Sequence, residues 1–392
     1  MRSHVRDTKT ITSQEVHKWA LDWLLGCRLL KDHGPRCTAV VVWSIVLRAA
    51  ASCLSIYAAC RDLANAPCDQ AIRDALHDGL PKTLPVLECR VNDALLFGMP
   101  RRMLRRAWDV AIDWHLVPYY GRPARSRNEL CYNKPRQGTN KFHAYATACI
   151  VVAGHRYTVA LTWVRRHEST VTVLRRLLLK IGEIGLKIRR VLLDRAFFGV
   201  PVIEFLQQEK LPFLMPVVIR GRKPKRGRRA TGLRRIRRQA AGWYPHTMKN
   251  GARRIDVQIC VGYRSYYHAK KRRRRNQKLL FAAWGVFGSP TDIRDWYRRR
   301  FAIETSFRQL RQARIYTCTR CPHLRLLFVA IALILRNVWV WIHQTYLAEG
   351  LIGHNLTVHL ERLRFKRMLG WIASEVVALL HDGSRPYVAI DP

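Results

Sequence analysis

Acidic residues are scarce in this chain: 27 Asp and Glu stand against 70 Lys and Arg over 392 residues, a formal net charge of +43. Such an excess repels itself unless a polyanion is near. It excludes an acidic, calcium-buffering or solvating role and points to nucleic acid, where neutralising phosphates and releasing counterions rewards many basic contacts. A cysteine framework is missing as well. The 11 cysteines are odd in number and scattered from Cys27 to Cys321, so free thiols in a reducing compartment are expected. The pair Cys318 and Cys321, with His323 nearby, has no second half to complete four zinc ligands and reads as two ordinary thiols.

The opening residues are polar and carry no apolar signal core, so secretion is not expected. Uncharged apolar runs of membrane length are lacking too. The stretch 37–60 holds Arg48 at its middle, and 324–347 holds Arg336 and Asn337. A central arginine is costly in lipid, so both read as buried helices of a protein without a membrane partner. No internal repeat is present. The hydrophobic fraction of 48% is ample for a folded core.

Residues 1–100 show apolar spacing typical of helices, broken at His33-Gly34-Pro35 and Leu80-Pro81. This part reads as a helical DNA-end-binding region. From about 105 the pattern becomes α/β. The run ending in Asp113 is strand-like, and 141–164 reads as two strands joined at Ala153-Gly154-His155. A helix follows over 169–186, a strand over 187–199 with Asp194 in it, a helix over 200–210 and a strand over 211–219. This order predicts a mixed sheet.

Residues 220–275 contain 21 Lys or Arg and a single acid, Asp256. A basic, partly β insertion facing DNA is expected there. Strand pattern returns at 278–287 and a long helix at 290–315. The remainder is helical, with an amphipathic piece near 361–381. The expected divisions are therefore 1–100, a catalytic part at 101–219, the insertion at 220–277, a second catalytic part at 278–350 and a helical end at 351–392.

Three acids occupy positions that surface acids rarely take. Asp113 and Asp194 end apolar runs, and Glu304 sits inside the helix. A carboxylate at a strand end points out of the sheet edge, where sites form. Three such groups can hold two Mg²⁺ or Mn²⁺ ions for in-line phosphoryl displacement. Singly, each strand-end Asp reads equally well as structural. Tyr297, Arg300, Glu304 and Arg311 fall within about 60° of one another on a helix. That stripe offers a phenol, two guanidiniums and a carboxylate beside an apolar stripe of Trp296, Ile303, Phe307 and Leu310. The spacing alone equally suits a basic amphipathic helix pairing Arg300 with Glu304.

The segment 297–311, YRRRFAIETSFRQLR, resembles the Y-x2-R-x3-E-x6-K signature of DDE transposases of bacterial and archaeal insertion sequences. The contexts DWHLVPYYG around Asp113 and LLDRAFFG around Asp194 are also similar to that superfamily. The resemblance spans about 105–345 and departs at Arg311, where the family has Lys. It implies a ribonuclease H-like catalytic domain with a β-rich insertion. It implies Asp113, Asp194 and Glu304 as catalytic ligands of two Mg²⁺ or Mn²⁺ ions. Tyr297, Arg300 and Arg311 would hold DNA phosphates. Trp243 or Trp284 would be candidates to stack a flipped base, although tryptophan is more often a packing residue. Cut-and-paste transposition by a homodimer on paired terminal inverted repeats, with target DNA as second substrate, follows as an expectation. So does a cytoplasmic location on the nucleoid. A transposase-derived DNA binder without catalysis, or a basic RNA-binding protein, are the alternative readings.

Overall fold

The computed structural model describes residues 10–152, 155–224, 228–268, 272–300, 310–348 and 361–381. Five helices open the chain: α1 (Ser13–Gly26), α2 (Ala39–Ala51), α3 (Ile56–Arg61), α4 (Asp69–Gly79) and α5 (Leu84–Leu96). Their starts follow from capping chemistry. Thr12 and Glu15 form a reciprocal capping box on α1, and the Thr38 and Ser55 hydroxyls accept from backbone N–H groups of α2 and α3.

The α/β part follows: β1 (Trp108–Pro118), β2 (Cys131–Arg136), β3 (Thr139–Val152), β4 (His155–Val164), α6 (Thr170–Glu183), β5 (Ile188–Leu192), α7 (Val200–Gln208) and β6 (Phe213–Pro216). Next come α8 (Gly232–Ile236), β7 (Gly242–Asn250), β8 (Arg253–His268), β9 (Arg273–Trp284), α9 (Pro290–Arg300), α10 (Pro322–Ile342) and α11 (Phe365–Leu380). The short strand β2 escapes a periodicity reading because five of its six residues are exposed. The expected turn at 153–155 lies mostly outside the described residues. The expected helix 290–315 is described as α9 up to 300 and again as a helical turn at 310–312.

The sheet has nine strands in the order β2-β3-β1-β5-β6-β9-β8-β7, with β4 paired to β3. It is mostly antiparallel; β1 with β5 and β5 with β6 are the parallel pairs. The strands of the basic insertion do not form a sheet of their own. β8 and β7 are added through β9, which pairs antiparallel with β6.

The free edge of β4 shows how helices and sheet are joined. Asn337 of α10 is fully buried; its amide donates to the carbonyls of Thr158 and Leu95 and accepts from Thr158 N. Asn92 of α5 makes the same kind of exchange with Leu161, and Glu88 accepts from Trp163 N and the Thr162 hydroxyl. Three helix side chains thus satisfy backbone groups that an edge strand would leave open. This also explains the polar centre of the apolar helix α10, whose buried faces lie within the protein. One apolar core runs from Val16 in α1 to Leu380 in α11 and includes both sheet and helices.

Candidate active site

Register brings Asp113 and Asp194 together, although Asp113 lies mid-strand and not at the strand end its apolar run suggested, because β1 stays paired with β3 as far as Pro118. In the parallel pair β1–β5, Ala111 stands opposite Leu192. Asp113 lies two residues beyond the first and Asp194 two beyond the second. Both carboxylates therefore leave neighbouring strands at the same level. Asp113 is still in β1, opposite Thr147 of β3, and its Oδ1 accepts from Trp114 N at 2.9 Å. Asp194 has left β5 and caps a short 3₁₀ turn, accepting from Arg195 N at 2.7 Å. The nearby acid Asp109 has a different role. It is buried and neutralised by Arg189 and Arg190 at 2.8 and 2.7 Å, an internal ion pair.

Helix α9 delivers Arg300 between the two carboxylates. Its Nη2 lies 3.2 Å from Asp113 Oδ2 and its Nη1 3.8 Å from Asp194 Oδ1. Tyr297, one turn earlier, is buried. Its hydroxyl donates to the Leu193 carbonyl at 3.2 Å and accepts from Arg300 Nη1 at 3.3 Å. The phenol thus ties α9 to the residue preceding Asp194. Burial pushes its ionisation up, with Arg300 the opposing cause. Burial likewise raises the Asp113 carboxyl above its ordinary range, and Arg300 works against that rise. A carboxylate held in a partly dry site is stabilised in its charged form by a cation, and here the Arg300 guanidinium fills that role.

Glu304 lies outside the described residues, which stop at 300 and resume at 310. Among the described residues no cluster of three or more His, Cys, Asp or Glu is arranged for a metal ion. The two Asp carboxylates alone provide hard oxygen donors converging on one point that a cation, here the Arg300 guanidinium, already shares. That donor set fits Mg²⁺ or Mn²⁺.

Arg311 is not part of this cluster. It lines a cavity of about 270 Å³ beside the second half of β1, with His115, Arg136, Arg314, Arg325 and Tyr145. Burial first, then Arg311 and Arg314, pull His115 down to about 4, so the imidazole is neutral at physiological pH. Trp243 and Trp284 are half-buried. The Trp243 indole donates to the Gly288 carbonyl at 2.9 Å and packs on Phe281 and its neighbours, while Trp284 packs against the main core.

The structure adds residues that sequence reasoning passed over. Arg156 of β4 is 1% exposed and donates to the Arg300 carbonyl at 2.5 Å, fixing the backbone that carries the bridging guanidinium. Burial pulls Arg156 down to about 9. A lone arginine at the start of an apolar strand was its only sequence signal. Asp113 and Asp194 open into a cleft of about 550 Å³ whose wall includes Tyr132, Arg136, Arg165 and Arg166. The Arg166 guanidinium lies 4.5 Å from the centre of the exposed Tyr132 ring. Arg136 borders both the cleft and the smaller cavity.

Residues 105–338 match the family described as transposase DDE domain. The chain belongs to that family. The match begins just before β1 and ends in α10, so it contains the sheet, Asp113, Asp194 and the insertion of this transposase. Among solved structures, it is similar to a piggyBac transposase synaptic complex with hairpin DNA, determined by cryo-EM. The likeness covers 97% of this chain and 83% of that one, with a TM-score of 0.51 and 11% identity, and bears on the fold. Comparison with curated proteins finds no match.

Proposed function

We propose that this transposase cuts and joins DNA strands at the ends of an insertion sequence, with Asp113, Asp194 and Glu304 as its catalytic carboxylates. The convergence of Asp113 and Asp194 on Arg300, inside the segment that matches the family, carries the reading. The order β4-β3-β1-β5-β6 across the sheet supports a ribonuclease H-like core, because three antiparallel strands are followed by two parallel ones with the acids on the central pair. Two Mg²⁺ or Mn²⁺ ions held by these carboxylates would activate the attacking oxygen and neutralise the leaving one.

The chain's own groups do the rest. Tyr297 and Arg156 fix α9 against the ends of β5 and β4, so Arg300 meets the acids in one orientation. Arg300 keeps two neighbouring carboxylates from repelling each other before substrate arrives. Arg136, Arg165 and Arg166 along the cleft, and Arg311 in the adjoining cavity, supply guanidiniums for the scissile strand's phosphates. The substrates are the terminal inverted repeats and a target duplex, held by a homodimer pairing two ends on the nucleoid.

The test is Mg²⁺-dependent nicking of a duplex carrying the inverted repeat that brackets the reading frame. Asp194→Asn, Asp113→Asn and Glu304→Gln should each abolish nicking and leave duplex affinity within a few-fold, since binding rests on the basic surface. Asp194→Asn cutting at the wild-type rate would sink the assignment. Tight binding by the wild type with no cleavage would favour a DNA binder that has lost its chemistry.

A further inference from the structure

The outer part of the β8–β9 pair is unlike any other pair of strands among the described residues. β7 pairs with β8 only up to Val261, and β6 pairs with β9 only from Phe281 onward. Beyond those points β8 and β9 continue alone, from Tyr263 opposite Lys278 to His268 opposite Arg273. A strand normally buries one face. Here Tyr263, Arg264, Ser265, Tyr266 and Tyr267 are all exposed, and so are Arg273, Arg274, Asn276 and Gln277 across from them, so both faces meet solvent. At strand rise the ribbon extends about 20 Å from the sheet.

Its composition is as unusual as its shape. Arg264, Arg272, Arg273, Arg274 and Arg275 are present, and no acid occurs between Gly262 and Leu280. The register sorts the side chains. Tyr266 with Arg275, and Arg264 with Gln277, share one face; Tyr267 with Arg274, and Ser265 with Asn276, share the other. Lys278 marks the base, where its ammonium donates to the carbonyls of Arg238 and Gln239. The Tyr263 carbonyl accepts from Arg294 of α9, the helix that carries Tyr297 and Arg300. The ribbon is thus anchored to the helix that reaches the acid pair.

Charge on an exposed edge also guards against strand-to-strand aggregation. That need is met by one or two lysines. It does not call for five arginines and tyrosines exposed on both faces. From this we infer that the paired segments 262–268 and 272–278 form a DNA-reading arm that lies in the major groove of duplex DNA. The groove's width of about 12 Å admits a two-stranded ribbon in undistorted duplex, whereas the minor groove at about 6 Å takes one only when it is widened and the duplex bent. Arginines at both rims contact phosphates, and those on the inserted face reach guanine O6 and N7. The inference rests on the DNA-acting reading above and adds a specific contact to it.

Methylation interference tests it, using the full-length chain and duplex DNA from the sequence flanking the reading frame. Dimethyl sulfate marks guanine N7 in the major groove and adenine N3 in the minor groove. Wild-type binding should be blocked by a cluster of N7-methylated guanines. Replacing Arg272, Arg273, Arg274 and Arg275 with Gln should remove that cluster and lower affinity at least tenfold. The slope of log affinity against log salt should shrink by about 2 to 4 units. Arg228→Gln with Arg229→Gln, elsewhere on the basic insertion, should lower affinity while keeping the N7 pattern. These substitutions, with Arg272, Arg273 and Arg274 exposed and Arg275 half-buried, should leave the melting temperature unchanged, which separates contact loss from misfolding. Interference confined to adenine N3, an unchanged N7 pattern in the arm variant, or preference for single-stranded RNA over the duplex would each overturn the arm. Arm-dependent N7 contacts in a protein that never nicks DNA would support the arm and refute the catalytic proposal instead.

Discussion

Arg300→Gln isolates what the bridging guanidinium does. Arg300 is 6% exposed and the Asp113 side chain 17%, so their 3.2 Å pair is sheltered from solvent. Removing one partner from a buried pair costs about 3–5 kcal/mol because the other charge is left uncompensated. Asp113 keeps its bond from Trp114 N and some solvent access, which brings the loss below that range, to about 2–3 kcal/mol. The 3.8 Å contact to Asp194, whose side chain is 44% exposed, adds little. The double variant Arg300→Gln with Asp113→Asn removes both charges and should recover on the order of 2 kcal/mol of that loss. Urea unfolding of metal-free protein, followed by tryptophan fluorescence, gives each midpoint and slope. Added Mg²⁺ should raise the midpoint of Arg300→Gln more than that of wild type, because the ion no longer competes with the guanidinium. The reasoning fails if Arg300→Gln unfolds at the wild-type midpoint. It also fails if the two substitutions are simply additive.

Two further predictions concern the scaffold. His143 is 1% exposed, both ring nitrogens lack a hydrogen-bond partner among the described residues, and burial followed by Arg325 pulls it down to about 3. The unfolded chain takes up this proton near pH 6.5 and the folded chain does not until about 3. Stability is therefore present above 6.5 and is lost as pH falls through that window, on the order of 2 kcal/mol by pH 5. His143→Phe should flatten the profile between pH 7 and 5 in the same urea assay; an unchanged slope would exclude His143 as its source. Asn337→Leu strands the Thr158 N–H and the Leu95 and Thr158 carbonyls in the core. Less the gain from a buried leucine, it should cost about 2–4 kcal/mol and expose the β4 edge to aggregation, read by light scattering on mild heating.

Some features were legible in the chain because they depend on local pattern. Asp194 follows an apolar run and lies just beyond the end of β5, as its pattern suggests; Asp113 does not end its strand, because β1 runs on to Pro118 in register with β3, a continuation set by pairing and not by the apolar run. The polar interruptions Arg336 and Asn337 suggested a helix buried within the protein, and α10 is so buried, although their partners could not be named. The cleft wall was not legible. β2 is nearly all exposed and has no periodicity, and Arg165 and Arg166 belong to a connection whose place depends on the sheet. The helical stripe joined Tyr297, Arg300 and Arg311 by angle. In the fold Tyr297 serves as an internal strut, Arg300 faces the acids, and Arg311 faces a separate cavity.

The sequence by itself determined the charge, the main alternation of strands and helices from β1 to β6 apart from β2, and the place of Asp194 after an apolar strand, since each follows from composition or from a repeat of two or 3.6 residues. Only the tertiary structure decided that Ala111 and Leu192 are opposite one another, and hence that Asp113 and Asp194 share a site. It alone decided that β8 and β9 outrun their neighbours to leave a basic ribbon in solvent. Strand register and the end of pairing depend on contacts between residues far apart in the chain, which no local window contains.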